Sequence, residues 1–129
     1  MKKVITLLLM TLLTVNVVMA QERQYEKFTG KIGSYAITLF MSQDDLSEGA
    51  TVGYYYYDER PKTHFKLVLK EYEVINTKGS MHFVLKEYTP KGNHTGTFDG
   101  QLEGRGGSFE GTFTNRKGEK FHFELMEEY

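Results

Sequence analysis

Four histidines, His64, His82, His94 and His122, carry the chemistry easiest to imagine, because an imidazole can ligate a metal or move a proton near neutral pH. Their spacing argues against a shared ion. A hairpin turning at residues 76–79 sets His82 opposite about Glu73. His64 then lies about nine rows further along the same strand, roughly 30 Å away at about 3.3 Å per residue. His122 falls near Gly111 on another hairpin. The ligands of one ion must converge to about 2 Å from it, so these residues read as outward histidines on polar strand faces, and no metal and no cofactor is expected.

The carboxylates Asp44, Asp45 and Glu48 could hold calcium or work as an acid–base pair. Their spacing lacks the glycine and the terminal glutamate of an EF-hand loop, and a solvated loop is the simpler reading. Serines 34, 42, 47, 80 and 108 stand in no Gly-x-Ser-x-Gly elbow. The glycines of 104–107 lead into a strand pattern, so the helix N-terminus that would cradle a phosphate is missing. Cysteine is absent, which removes disulfides, cysteine-bound zinc and a thiol nucleophile. No catalytic residue is assigned, and an enzyme is not expected; a small secreted hydrolase using Asp44, Asp45 or Glu48 is the third-ranked alternative.

The run Tyr54-Tyr55-Tyr56-Tyr57 is more informative. On a strand, two of these rings must point to each face. With Val52, Tyr54 and Tyr56 inward, Tyr55 and Tyr57 face solvent beside Phe40 on the neighbouring strand. Tyrosine is a strong strand former, so cross-strand packing alone accounts for such a run. Exposed aromatics grouped on one sheet face are also how a protein or glycan surface is gripped. Phe40, Tyr55 and Tyr57 are therefore the candidate partner-binding residues, and Tyr35, Tyr54, Tyr56 and Tyr72 the candidate contacts for a ligand held inside.

The elements that must position these rings read almost entirely with period two, the signature of strands with one buried face. Tyr35, Ile37, Leu39 and Met41 share a face, as do Phe65, Leu67 and Leu69, then Met81, Phe83 and Leu85, then Phe121, Phe123 and Leu125. Turn chemistry separates the runs at 58–62, 76–79, 90–93, 104–107 and 115–118. The spacing predicts about eight strands, over 25–32, 35–42, 51–58, 63–75, 80–88, 94–102, 107–114 and 119–127. Such short turns require antiparallel neighbours. The expected fold is all-β, an up-and-down meander closed as a calycin-like barrel or folded as a sandwich, with closure favoured because it removes both open edges. A parity switch near Lys70-Glu71, from Leu69 to Tyr72, predicts a bulge, and Leu85 followed by Tyr88 suggests another. Gly30, Gly96, Gly100 and Gly111 fall at inward positions, where they relieve crowding.

Residues 1–20 differ from the rest: Lys2 and Lys3, then an apolar run broken only at Asn16 within 15–20, then Val18-Met19-Ala20 before Gln21. This is the pattern of a secretory signal peptide, a helical leader cut after Ala20. Its loss would leave residues 21–129 as one domain and move the formal charge from −1 to −3, since both early lysines leave. A weakly acidic, mixed-sign chain argues against a nucleic-acid partner. A periplasmic or extracellular protein with no stable membrane insertion is expected. All 18 aromatics, 9 Tyr and 9 Phe, lie in the mature part and supply a dense core.

The Tyr54–Tyr57 run, Leu85-Lys86-Glu87-Tyr88, Thr95-Gly96-Thr97-Phe98-Asp99-Gly100 and Gly111-Thr112-Phe113 together resemble a group of small secreted β-rich domains of Gram-negative bacteria of the Bacteroides–Prevotella lineage. The Gly-x-Phe-x-Gly-Thr-Phe rhythm is also similar to that of avidin-like and lipocalin-like meander barrels. The resemblance implies a β-domain over most of residues 25–129. The tryptophans that avidin-like barrels place around their ligand are absent, and no binding residue is carried over. The expected function is a non-enzymatic exported binding module for a protein or envelope polymer, with a carrier of a small apolar ligand as the alternative.

Overall fold

The computed structural model describes residues 24–104 and 107–129; the expected leader, 1–20, lies outside the described residues. Eight strands follow one another: β1 (Glu26–Ile32), β2 (Tyr35–Met41), β3 (Thr51–Tyr57), β4 (Phe65–Val74), β5 (Met81–Tyr88), β6 (His94–Leu102), β7 (Ser108–Asn115) and β8 (Lys120–Glu128). Each pairs antiparallel with the next, and β1 pairs with β8, so the meander closes into a barrel rather than folding as a sandwich. Glycines at Gly79, Gly92 and Gly118 take the positive φ that these tight hairpin turns demand. Among the described residues no helix is long and apolar enough to cross a membrane.

Closure buries one side of every strand, which is why every second residue is apolar. Phe28, Ile37, Leu39, Leu67, Leu69, Leu85 and Leu125 are all buried in one cluster. Rings fill the axis of this cluster. Phe83 meets Phe109 edge-on at 6.5 Å, Phe109 meets Phe123 at 4.9 Å, Phe123 meets Phe98 at 5.1 Å, and Phe98 meets Tyr55 at 5.2 Å. Edge-to-face contacts of this kind add about 0.5–1.5 kcal/mol each beyond the area they bury. The interior is occupied by side chains along this line.

Three bulges set the facing of the strands. The expected one on β4 is present, with Lys70 as the extra residue between the pairs Leu69–Leu85 and Glu71–Val84. The expected switch after Leu85 does not lie on β5. Glu87 keeps the inward parity of Phe83 and Leu85 and is buried, and the extra residue is Thr95 on β6. The third lies on β3, where Thr51 pairs with Val68 and Gly53 with Leu67, leaving Val52 unmatched. Val52 and Gly53 are both buried, so the alternation restarts at Gly53 and places Tyr55 inward.

This overturns the facing expected for the tyrosine run. Tyr55 is fully buried, whereas Tyr54 and Tyr56 stand on the outer face opposite Phe40 and Thr38 of β2. Gly53 carries no side chain and therefore hides the restart from an apolar count. It also permits the close approach, because a Cβ there would sit 1.9 Å from the Phe40 carbonyl oxygen.

Candidate functional site

The outer face carries an aromatic ladder. Phe40 stacks on Tyr54 at 5.0 Å and 23°, Tyr54 on His64 at 4.9 Å and 17°, and Tyr56 on His64 at 5.4 Å and 21°. Tyr25 adds an edge contact to Tyr54 at 6.0 Å. Near-parallel rings this close stand like books on a shelf and spend their faces on one another, leaving edges for solvent. Desolvation in the row, with Tyr56 and Tyr25 adding to it, raises the pKa of the Tyr54 hydroxyl. Phe40 is where the sequence placed it, yet its neighbours are Tyr54 and Tyr56 instead of Tyr55 and Tyr57. The ladder packs the outside of β2, β3 and β4.

A second aromatic group lies at the barrel end formed by the turns β1–β2, β3–β4, β5–β6 and β7–β8, called the mouth below. There a cleft of about 320 Å³ opens between β2 and the β3–β4 loop, lined by Tyr35, Ala36, Tyr57, Glu59, Arg60, Thr63 and Phe65. Its rings meet edge to face, Tyr35 with Tyr57 at 6.2 Å and 87°, Tyr57 with Phe65 at 6.0 Å and 89°. Perpendicular rings leave space between them, and Tyr35 remains 60% exposed.

The loop that forms the outer wall is tied down. The Arg60 amide donates to the Tyr57 carbonyl at 2.7 Å and the Thr63 amide to the Arg60 carbonyl at 3.1 Å. The Asp58 amide donates to the Ala36 carbonyl at 3.0 Å, and Thr38 Oγ1 donates to the Asp58 carboxylate at 2.8 Å. The His64 ring closes back onto the Pro61 carbonyl at 3.0 Å. Five tethers within seven residues hold Arg60 and Thr63 at the cleft without a ligand, which lowers the ordering cost of binding.

Beneath the cleft sits a buried polar group. The Tyr55 hydroxyl donates to Glu87 Oε1 and the Thr95 hydroxyl to Glu87 Oε2, with the Tyr57 hydroxyl within reach of Tyr55. Glu87 is 4% exposed, and burial raises its carboxyl pKa above the ordinary range, although these two hydrogen bonds and His94 pull the other way. Burial and the Glu87 charge push the Tyr55 phenol far upward, and burial raises Tyr57 as well. Both phenols stay neutral at physiological pH and serve as hydrogen-bond donors. Gly96 leaves the space this group needs, since a Cβ there would fall 2.4 Å from the Phe113 ring and 3.1 Å from Glu87 Oε2.

The interior set expected from sequence does not assemble. Tyr35 is at the mouth, Tyr54 and Tyr56 are outside, and Tyr72 packs at 6.2 Å on Phe83 toward the opposite end, 44% exposed. Of the partner-binding set, Tyr57 borders the cleft while Tyr55 is its buried support. The residues missed are Glu59, Arg60, Thr63, Phe65 and Glu87. Glu59 and Arg60 lie in a segment read only as a turn, and Thr63 at the expected start of the fourth strand. Glu87 was legible from its odd position after Phe83 and Leu85.

The histidines remain dispersed. His64 belongs to the ladder, His82 meets Asp99, His94 Nε2 lies 2.9 Å from the Gly96 carbonyl, and His122 lies 3.0 Å from Glu110 and 3.7 Å from Glu124. The last three are exposed and form the one grouping of metal-type ligand atoms among the described residues, all within 4.8 Å of one another. Glu110 and Glu124 face each other across β7 and β8, and His122 sits between two like charges. Asp45 accepts the Ser47 amide at 3.0 Å, and the 43–50 loop lies at the end opposite the cleft.

Comparisons with protein-family models, with curated proteins and with solved structures give no match to the chain.

Proposed function

We propose that the chain is a non-catalytic binding module, exported to the periplasm or beyond, that holds part of a protein or envelope polymer in the mouth cleft. The observation that carries this reading is the cleft itself. Its volume of about 320 Å³ lies within the range of sites for small ligands or single polymer units. Its walls combine apolar rings with a few fixed polar groups, the usual composition of a specific pocket. Tyr35, Tyr57 and Phe65 offer apolar surface, and Arg60, Glu59 and Thr63 offer donors and acceptors. The ladder of Phe40, Tyr54 and Tyr56 is the weaker candidate because its rings are already stacked on one another and on His64 and enclose no cavity. A carrier with its ligand on the axis is disfavoured by the rings that occupy it. Export rests on the leader pattern of residues 1–20.

The test is amide chemical-shift mapping of residues 21–129 against cellohexaose, hexagalacturonate and blocked tripeptides. At least one probe is expected to move residues 35–36 and 57–65, and Tyr35→Ala with Arg60→Ala to abolish the effect. A footprint centred on Phe40, Tyr54 and Tyr56 would move the site to the strand face. No probe shifting the cleft would sink the reading.

A further inference from the structure

The net charge of the chain conceals a polarity along the barrel. Arg60 and Lys62 of the β3–β4 loop, Lys91 of the β5–β6 turn, and Arg116, Lys117 and Lys120 of the β7–β8 hairpin all stand exposed at the mouth. Among the described residues none of these six lies within ion-pair distance of a carboxylate. The acids at that end are partly engaged: Asp58 accepts the Thr38 hydroxyl and Glu119 the Asn115 side-chain amide. Glu59 faces the cleft. Among the described residues the opposite end gathers Glu26, Asp44, Asp45, Glu48, Glu103, Glu127 and Glu128, against Lys27, Lys70 and Lys78. There, burial and the neighbouring Glu26 raise the Glu127 carboxyl pKa.

Unpaired cations on separate loops around a pocket focus an attractive field on it. These loops stand two strands apart, about 10 Å along the rim at the usual strand spacing. A single small anion reaches one of them. A polymer with a charge on successive units reaches all three while seating one unit in the cleft. A nucleic acid fits less well, because the chain is weakly acidic overall, whereas Glu59, Arg60 and Thr63 in the cleft wall offer the donors and acceptors that sugar hydroxyls and a carboxylate need.

We infer that the ligand of the mouth is an acidic polysaccharide, one carboxylated sugar seated between Tyr35, Tyr57 and Phe65 with its carboxylate toward Arg60 and Thr63, and flanking units running over Lys91 and Lys117. This rests on the binding-module reading and names its ligand class.

Hexagalacturonate is titrated into residues 21–129 beside cellohexaose and a dodecamer of thymidylate, at low and high salt. The acidic hexamer is expected to shift residues 35, 57 and 60–65 together with 91 and 116–117, and to weaken about tenfold or more between dilute and 0.3 M salt. Lys91→Glu with Lys117→Glu, two exposed turn residues outside the cleft, should weaken it by a similar factor and leave the melting temperature unchanged. Cellohexaose binding the cleft equally well, insensitive to salt and to those two changes, overturns this inference and leaves the binding module standing. Thymidylate binding as tightly with the same footprint overturns it in favour of a nucleic acid. A hexagalacturonate footprint on the lysines without the cleft also overturns it, and silence of the cleft to every probe removes both readings.

Discussion

Two aromatic groups lie within a few residues of each other on β2 to β4 and differ in what their rings are free to do. On the outer face Phe40, Tyr54, Tyr56 and His64 stack nearly parallel. At the mouth Tyr57 meets both Tyr35 and Phe65 at right angles around an open volume, with Phe65 stacked on the buried Tyr55 beneath. Exposure alone does not separate them, since both groups contain half-buried rings. Orientation does: stacked rings satisfy one another and contribute cross-strand stability, whereas perpendicular rings bound a space. The lesson is that an exposed aromatic run gains meaning for binding only when the angle between its rings is known.

The bulge on β3 decides which tyrosines belong to which group, and it is the most sensitive point of the run. Gly53→Ala drives a Cβ onto the Phe40 carbonyl, and neither backbone has room to move. The expected cost is about 3 kcal/mol or more, seen as a collapse of the urea midpoint or failure to fold. A variant with native stability would show that the close approach of β2 and β3 is wrong.

Next in size is the contrast between adjacent tyrosines. Tyr55→Ala empties a fully buried site and should cost about 3–5 kcal/mol, while Tyr54→Ala loses only ladder contacts, about 1 kcal/mol. Denaturant melts of both variants decide it; equal losses would return the two rings to equivalent positions.

Glu87 makes the buried side of the tyrosine run sensitive to pH. Its folded pKa is raised by burial, so its contribution is fully present below the ordinary glutamate pKa and is lost as pH rises through the raised value. Glu87→Gln removes the charge and keeps one acceptor oxygen, for the Tyr55 hydroxyl, while its amide nitrogen donates to the Thr95 hydroxyl oxygen. The melting temperature of that variant should exceed wild type at pH 8, with the gap closing as pH falls toward the ordinary glutamate range. Glu87→Ala should lose about 1–3 kcal/mol, because two hydroxyls lose their acceptor. A Gln variant less stable than wild type at pH 8 would contradict the sign.

The smallest stability effect belongs to the cleft. Tyr35→Ala should change stability by no more than about 0.5 kcal/mol, since the ring is largely exposed, yet remove binding of any cleft ligand. A large stability loss would make Tyr35 a packing residue.

Most of the fold was legible because closure imposes one simple rule, a buried side chain at every second position. Ile37, Leu39, Leu67, Leu85 and Leu125 obey it without exception, and so the antiparallel meander, its turns and the Lys70 bulge could be read directly. The facing of Tyr54–Tyr57 could not, because the restart falls on Val52-Gly53, where one residue is apolar either way and the other has no side chain. The candidate site was legible only at Tyr35 and Tyr57. Arg60, Thr63 and Phe65 become its walls through a loop folded back over β2, a tertiary event that leaves no periodic trace. The charge polarity was hidden for a related reason: alternate turns go to opposite ends, so a sum over the chain cancels what the barrel separates.

The seam where β1 and β8 zip together has a practical side. It sets Lys27 beside Glu128, so the entry to the first strand and the exit from the last are neighbours, both remote from Tyr35 and Arg60. A stalk, bead or fused domain attached at either place would hold the protein like a torch by its handle, with the receptive rim pointing away from the hand. Joining those two neighbours and recutting the chain elsewhere should leave the molecule whole.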